Sequence, residues 1–448
     1  MNSQAAYFKK NKGFIQTSTL VLLAFSTTFF PRLLGLVGVP SLINFFHFAA
    51  VPFVCGVALV KSRTKNRKQI AIVQEMVFGL WLLLVVGFAS ALWNGAATIN
   101  VILGYLLLAE PFMMLLAIIS LPLSAARFQW FQSWMTGFVV FHLFLIYIQK
   151  FVLNYCHLPG ECDNVQGVFY RSGSGHVVGA SISCTFAVYY LVSAKTQPIW
   201  LRVLVFVAGF GNILTSDAKQ VLLMFLVAFV ILAFTNIKDI GKTLLYIIGT
   251  VIFIIVFTWA VQNVQAFSAF ATWARPSIYG PEGEATLLKF SGIRIILTYH
   301  HSPWNWLFGL GPGHTIGRLG GWMIRDYSAL LSPLGSTSVP FGETIPVSQA
   351  VWQYVASSWL AEGSSMFSPF WGWAGIWGDF GFLGVGAYVY LCSIVWRRVC
   401  LDEMPKLLML SVCVCGFIFT QMEEPAYMLY IATVIGLRWQ QLRLRVGN

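Results

Sequence analysis

Arg275, Arg294, His300, His301, His314, Arg318 and Arg325 lie within one segment, residues 264–372, of a chain otherwise built from long apolar runs. Two more cations sit where such runs end: Arg171 opens Arg171-Ser-Gly-Ser-Gly-His176, and Lys219 closes Thr215-Ser-Asp-Ala-Lys219. Arginine offers paired N–H donors matched to phosphate oxygens, lysine adds a point charge, and a neutral imidazole accepts a proton near neutral pH. Brought together, Arg171, Lys219 and Arg294, with Arg318 beside them, form a positive pocket near headgroup level that suits a lipid-linked diphosphate. The plainer alternative pairs each cation with a lipid headgroup or a nearby acid, such as Asp217 for Lys219.

The elements that must position these residues follow from composition. With 58% apolar and only 10% charged residues, the chain is a polytopic membrane protein, not a water-soluble globule. A hydrocarbon core about 30 Å thick needs about 20 apolar residues per helix. That length predicts an all-α protein with twelve spans, near 14–36, 41–60, 70–92, 99–121, 130–153, 176–194, 199–215, 220–235, 243–263, 373–395, 407–421 and 426–438. The runs are continuously apolar, which excludes the alternation of a barrel. The reading is of a single polytopic membrane domain, 1–448, with a large, partly helical loop, 264–372, between the ninth and tenth spans.

Lys and Arg are retained on the cytoplasmic side during insertion. Placing the N-terminus inside, with Lys9, Lys10 and Lys12, puts 19 of the 28 basic residues on that side. The net charge of +12 is then a topology signal and not a nucleic-acid footprint. Both termini come out cytoplasmic and 264–372 external. The first span is too long for a cleavable signal, and Pro31-Arg32 replaces the small-residue cleavage pattern.

Cys156 and Cys162 flank a short external turn, where an oxidising compartment would allow them to pair; two free thiols are the alternative. The other six cysteines fall in predicted helices or on the inner face. The loop carries Trp273, Trp304, Trp306, Trp322, Trp352, Trp359 and Trp371, too much apolar surface for a solvated chain, so it folds back onto the membrane surface. Stretches 286–299 and 345–361 read as amphipathic helices at the interface. The tryptophans are interfacial anchors or platforms for sugar rings. Gly309-Leu-Gly-Pro-Gly313 either exposes amides to an anion or simply turns the chain. Phosphate-loop, dinucleotide and zinc-protease patterns are absent from the sequence, so no cofactor or metal is predicted and the driving force must come from an activated substrate.

The segments Arg171-Ser-Gly, Ser216-Asp-Ala-Lys219, Arg294 followed by Pro303 and Leu307-Phe-Gly-Leu-Gly-Pro-Gly313, and Trp377-Gly-Asp-Phe-Gly-Phe-Leu-Gly384 resemble, in order and placement, the successive signatures of the bacterial O-antigen polymerase and ligase superfamily. The resemblance covers residues 165 to 390. It implies a metal-independent glycosyltransferase of the bacterial inner membrane, acting at its outer face in lipopolysaccharide or exopolysaccharide synthesis. The implied partners are undecaprenyl-diphosphate-linked oligosaccharide, membrane lipids and a chain-length regulator, with no nucleic acid. Arg171, Lys219 and Arg294 fall on the family's three cationic positions; Lys219 keeps the charge of an arginine there and loses its fork. The ligases carry a His-Asn pair where this chain has Phe370-Trp371, a departure that favours a polymerase over transfer to lipid A core or protein.

Displacing a diphosphate at an anomeric carbon needs charge stabilisation on the leaving group and a base for the attacking hydroxyl. Arg171, Lys219, Arg294 and Arg318 are expected to supply the first, His314 the second, with Glu343 and Asp379 as reserve bases. A direct displacement inverts configuration, and Arg294→Ala is expected to abolish chain growth. The rival class is a transporter of lipid-linked sugars or ions, for which the intramembrane Glu75 and Glu110 are the markers. A hydroxyl or amide on a neighbouring helix would make both structural.

Overall fold

The structure, a computed structural model, describes residues 15–62, 66–156, 161–235, 240–264, 276–361 and 365–446. Lys9, Lys10, Lys12, Trp273 and Arg275 lie outside the described residues. Among the described residues the chain is 79% helix with no strand.

A helix lies on each of the twelve apolar stretches: α1 (Thr17–Phe29), α2 (His47–Lys61), α3 (Arg67–Asn94), α4 (Thr98–Ser120), α5 (Ala125–Phe151), α6 (Gly175–Ser193), α7 (Ile199–Thr215), α8 (Lys219–Thr235), α9 (Ile240–Asn263), and, beyond the loop helices, Gly372–Ile394, Glu403–Ile418 and Pro425–Val446. Among the described residues, six helices are long and apolar enough to cross a membrane: α2 with the turn before it, α3, α4, α5, α6 and Gly372–Ile394 with its extension to Val399.

α4 is apolar all round, and 78% of its apolar window is buried, against 28% for α2. It is therefore the axis of the bundle, flanked by α2, α3 and Pro425–Val446. Polar contacts tie helix ends together on one face. Arg398 meets Glu75 at 2.7 Å, Arg438 meets Asp402 at 2.5 Å, and Arg443 donates to Gln69 at 2.9 Å.

The loop caps the opposite face as a folded layer. Its helices are α10 (Glu284–Thr298), α11 (Pro303–Phe308) and α12 (Val347–Ala356), followed by α13 (Gly372–Ile394), α14 (Glu403–Ile418) and α15 (Pro425–Val446). The predicted amphipathic stretches do form α10 and α12, but their apolar faces meet each other and α13. Ile296, Val347, Val351, Phe370 and Ala374 share one buried cluster. Asn94 and Asn100, at the facing ends of α3 and α4, hold the cap by donating to the carbonyls of Gly309 (3.1 Å) and Pro312 (2.8 Å).

The glycine-rich turn docks backbone to backbone on a break in α13. Leu310 N–H donates to the Gly378 carbonyl at 2.7 Å, and Gly311 N–H to the Asp379 carbonyl at 3.2 Å. Gly381 makes the break with φ of 64°, and a Cβ there would lie 2.3 Å from the Leu307 carbonyl carbon. Only glycine permits both the conformation and the approach.

Candidate functional site

A cavity of about 730 Å³ opens between the cap and the bundle, within the size range of small-molecule sites. Its wall is assembled from distant parts of the sequence: the end of α1, the start of α2, Leu107 of α4, the entry to α6, residues 318–327 and the α14–α15 junction. Four arginines line it, Arg32, Arg171, Arg318 and Arg325, against two acids, Asp326 and Glu424. Arg318 is paired with Glu424, and Arg325 with Asp326 at 2.9 Å. Among the described residues Arg32 and Arg171 have no acidic partner, so the cavity keeps a net positive charge. Trp322 and Trp352 add aromatic faces, with the Arg318 guanidinium 5.8 Å from one ring and that of Arg325 5.2 Å from the other.

The backbone turn that carries Arg171 is held on both sides by its surroundings, and Arg171 exposes its side chain. Its backbone sits in the left-handed region at φ of 58°, uncommon for a residue with a side chain and sustained only where neighbours over-determine it. Those neighbours are buried polar side chains of α5 and of the turn. Gln149 accepts from the N–H groups of Gln166 (2.9 Å) and Gly167 (2.7 Å), His142 Nδ1 accepts from Val168 N–H (3.2 Å), and Gln166 donates to the Ser172 carbonyl (3.0 Å). Gln149→Leu strands two buried donors at about 1–3 kcal/mol each. It is expected to lower the thermal midpoint and weaken anion binding, although residue 149 lines no part of the cavity; calorimetry and titration check both.

The remaining predicted residues are distributed differently from expectation. Lys219 is paired with Asp217 at 2.5 Å, as the plainer alternative had it. It belongs to a charge cluster behind the cavity: burial raises the Asp163 carboxyl above its usual range, while the nearby His176 and Lys219 oppose that rise. Arg294 does not reach the cavity. The buried face of α10 carries Ala285, Leu288, Ser291, Gly292 and Ile296, which turns Arg294 outward. The cation that α10 does insert is Lys289, whose Nζ donates to the carbonyls of Ser368 (3.0 Å) and Ile418 (2.8 Å). Arg318 and Arg325 are the loop arginines at the cavity.

His314 is fully enclosed, with Nδ1 donating to the Leu310 carbonyl (2.8 Å) and Nε2 against the Thr337 hydroxyl (2.8 Å). Burial pushes its imidazole down to about 4, and both nitrogens are engaged, so it holds the turn together. Glu343 faces His301 at 2.6 Å, away from the cavity. Asp379 accepts from Gly313 N–H (2.9 Å), Thr315 N–H (3.0 Å) and the Thr315 hydroxyl (2.5 Å). The amides that an anion would have used are filled by this carboxylate. Cys156 and Cys162 form a disulfide, and Lys150 lies against it.

Glu423, beside the cavity acid Glu424, was not singled out from the sequence. One of its oxygens accepts from Arg318 N–H at 2.7 Å, while the other is buried without a partner among the described residues. Burial, with Asp379 adding to it, pushes the carboxyl up to about 8. A raised acid binds its proton more tightly folded than unfolded, so its stabilisation is present at low pH and lost as pH rises through about 8. Replacing Glu423 by Gln is expected to make the thermal midpoint fall less between about pH 5 and 8, the window set by that shift; identical slopes for wild type and variant in differential scanning would contradict this.

Three cavity features went unread in the sequence. In the sequence Arg32 stands out only as an interruption of a cleavage pattern, Trp352 is one of many tryptophans, and no motif marks His47. Comparison with protein-family models and with curated proteins finds no match for this chain.

Proposed function

We propose that this protein is a membrane glycosyltransferase that extends glycans carried on a lipid diphosphate, with the cavity beneath the cap as its active site. The observation that carries the reading is the pair Arg32 and Arg171, two guanidinium groups without acidic partners among the described residues, facing one cavity in a helical membrane protein. Arg32 is half-buried and Arg171 reaches open space, and a diphosphate matches their forked donors. Trp322 and Trp352 supply faces on which sugar rings stack. Arg318, already neutralised by Glu424, lends its charge less freely.

The twelve-span layout, with both termini cytoplasmic and the cap external, belongs to this proposal, as does placement in a bacterial inner membrane. Within it, undecaprenyl-diphosphate oligosaccharide is the donor, and Phe370-Trp371 in place of a His-Asn pair favours polymerisation over ligation. Of the two carboxylates that mark the transporter alternative, Glu75 is engaged by Arg398 and Glu110 by His47.

The test is to incubate the purified protein in nanodiscs with lipid-diphosphate oligosaccharide, alone and with lipid A core. A ladder from the first mixture is the expected result. Transfer only to the core would make the protein a ligase, and no change in either would overturn the transferase reading.

A further inference from the structure

The cavity continues down to a histidine whose environment sets it apart from the other described histidines. His47, at the start of α2, lines the cavity and is 5% exposed. Its Nδ1 faces both carboxylate oxygens of Glu110 on α4, at 2.8 and 3.0 Å. Its Nε2 makes no hydrogen bond to any described residue. Pro111 follows Glu110 and has no N–H to offer the Leu107 carbonyl, and Leu107 lines the same cavity.

The other described histidines lack this combination. His142 is bonded through both nitrogens, to Gly179 O and Val168 N–H, and so is His314. His176 lines the cavity, but its Nδ1 is enclosed without a partner and Asp163 stands 3.5 Å from its Nε2. His300 and His301 lie against Trp306 and Glu343, outside the cavity.

A carboxylate that accepts from Nδ1–H fixes the tautomer with the lone pair on Nε2, and it stabilises the imidazolium formed when Nε2 takes a proton. An ionisable pair inside a membrane helix bundle is costly to keep unless it does something there.

We infer that His47, oriented by Glu110, is the general base of this cavity, accepting the proton of a sugar hydroxyl at Nε2. The assignment rests on the transferase reading. In the step it serves, the acceptor hydroxyl oxygen bonds to the anomeric carbon of the donor sugar. The bond from that carbon to the diphosphate oxygen breaks, and its electron pair leaves with the lipid diphosphate beside Arg32 and Arg171. The hydroxyl proton passes to Nε2 and from there to the departing diphosphate. His47 is then a catalytic residue, and Glu110 a positioning residue that acts through it.

The experiment measures kcat and KM for chain extension, together with lipid-diphosphate binding, in wild type, His47→Gln and Glu110→Gln. His47→Gln, which cannot accept the proton, should lower kcat by about a hundredfold or more while donor affinity holds. Glu110→Gln should lower kcat by about tenfold or more with KM unchanged. A His47→Gln rate within about threefold of wild type overturns the assignment, as does a rate loss matched by an equal loss of donor binding. If His47→Gln fails to fold, Glu110→Gln decides on the same criteria; if neither folds, the pair is structural and the assignment falls. Absence of product from the wild type sinks the transferase reading itself, a separate outcome.

Discussion

Arg171→Ala is expected to lower glycan transfer about a thousandfold, the scale of removing a preorganised donor from developing negative charge. The loss should fall on transfer and not on folding, because among the described residues Arg171 has no ion pair to break; its guanidinium lies 5.5 Å from the Tyr170 ring. Arg171→Lys should recover only part of the rate, since a point charge replaces a fork. Arg32→Ala should weaken transfer in the same way, and the double variant should lose less than the product of the two, because both guanidiniums face one cavity. Arg318→Ala should cost stability as well, by stranding Glu424. Arg294→Ala, on the outward face of α10, should retain near-normal transfer, which reverses the expectation drawn from the sequence. Initial rates with a labelled lipid-diphosphate donor, beside thermal midpoints, separate these cases.

Asp379→Ala is expected to release the cap. Its carboxylate takes two backbone N–H groups and one hydroxyl from residues 313 and 315, in a site that is 4% exposed. Stranding those donors costs about 3 kcal/mol or more, summed at roughly 1–3 kcal/mol each. Asp379→Asn keeps one acceptor oxygen and should retain part of the stability. Hydrogen exchange over residues 309–319 should rise sharply in the alanine variant while the start of α3 stays protected, since that end is pinned separately by Arg398 and Arg443. Uniform protection would mean that the glycine turn is held by something other than this carboxylate.

Helix positions were legible because periodicity and apolar length speak directly of a bundle, and the observed boundaries of α7, Ile199–Thr215, coincide with the predicted ones. The glycine turn and the WGDFGFLG segment were legible as special, but not as two halves of one joint; that depends on Gly381 breaking α13 just where Leu307 passes. Arg171 could be found from its place at the entry to α6. Arg294 and Lys289 could not be told apart, because both are basic residues of one amphipathic helix and its packing partner decides which turns inward. The His47–Glu110 pair was illegible for another reason: its members are separated by 63 positions, and each alone reads as an isolated polar residue in an apolar run.

The most direct test of the proposed transfer is a balance of products. Purified protein in nanodiscs, without any membrane gradient, is given a lipid-diphosphate oligosaccharide, and free lipid diphosphate and new glycosidic linkages are quantified together by mass spectrometry. Transfer at the Arg32–Arg171 cavity predicts one lipid diphosphate released for each linkage formed, with both signals lost together in Arg171→Ala. Intact donor with no released lipid diphosphate, or equal release from Arg171→Ala, would contradict it.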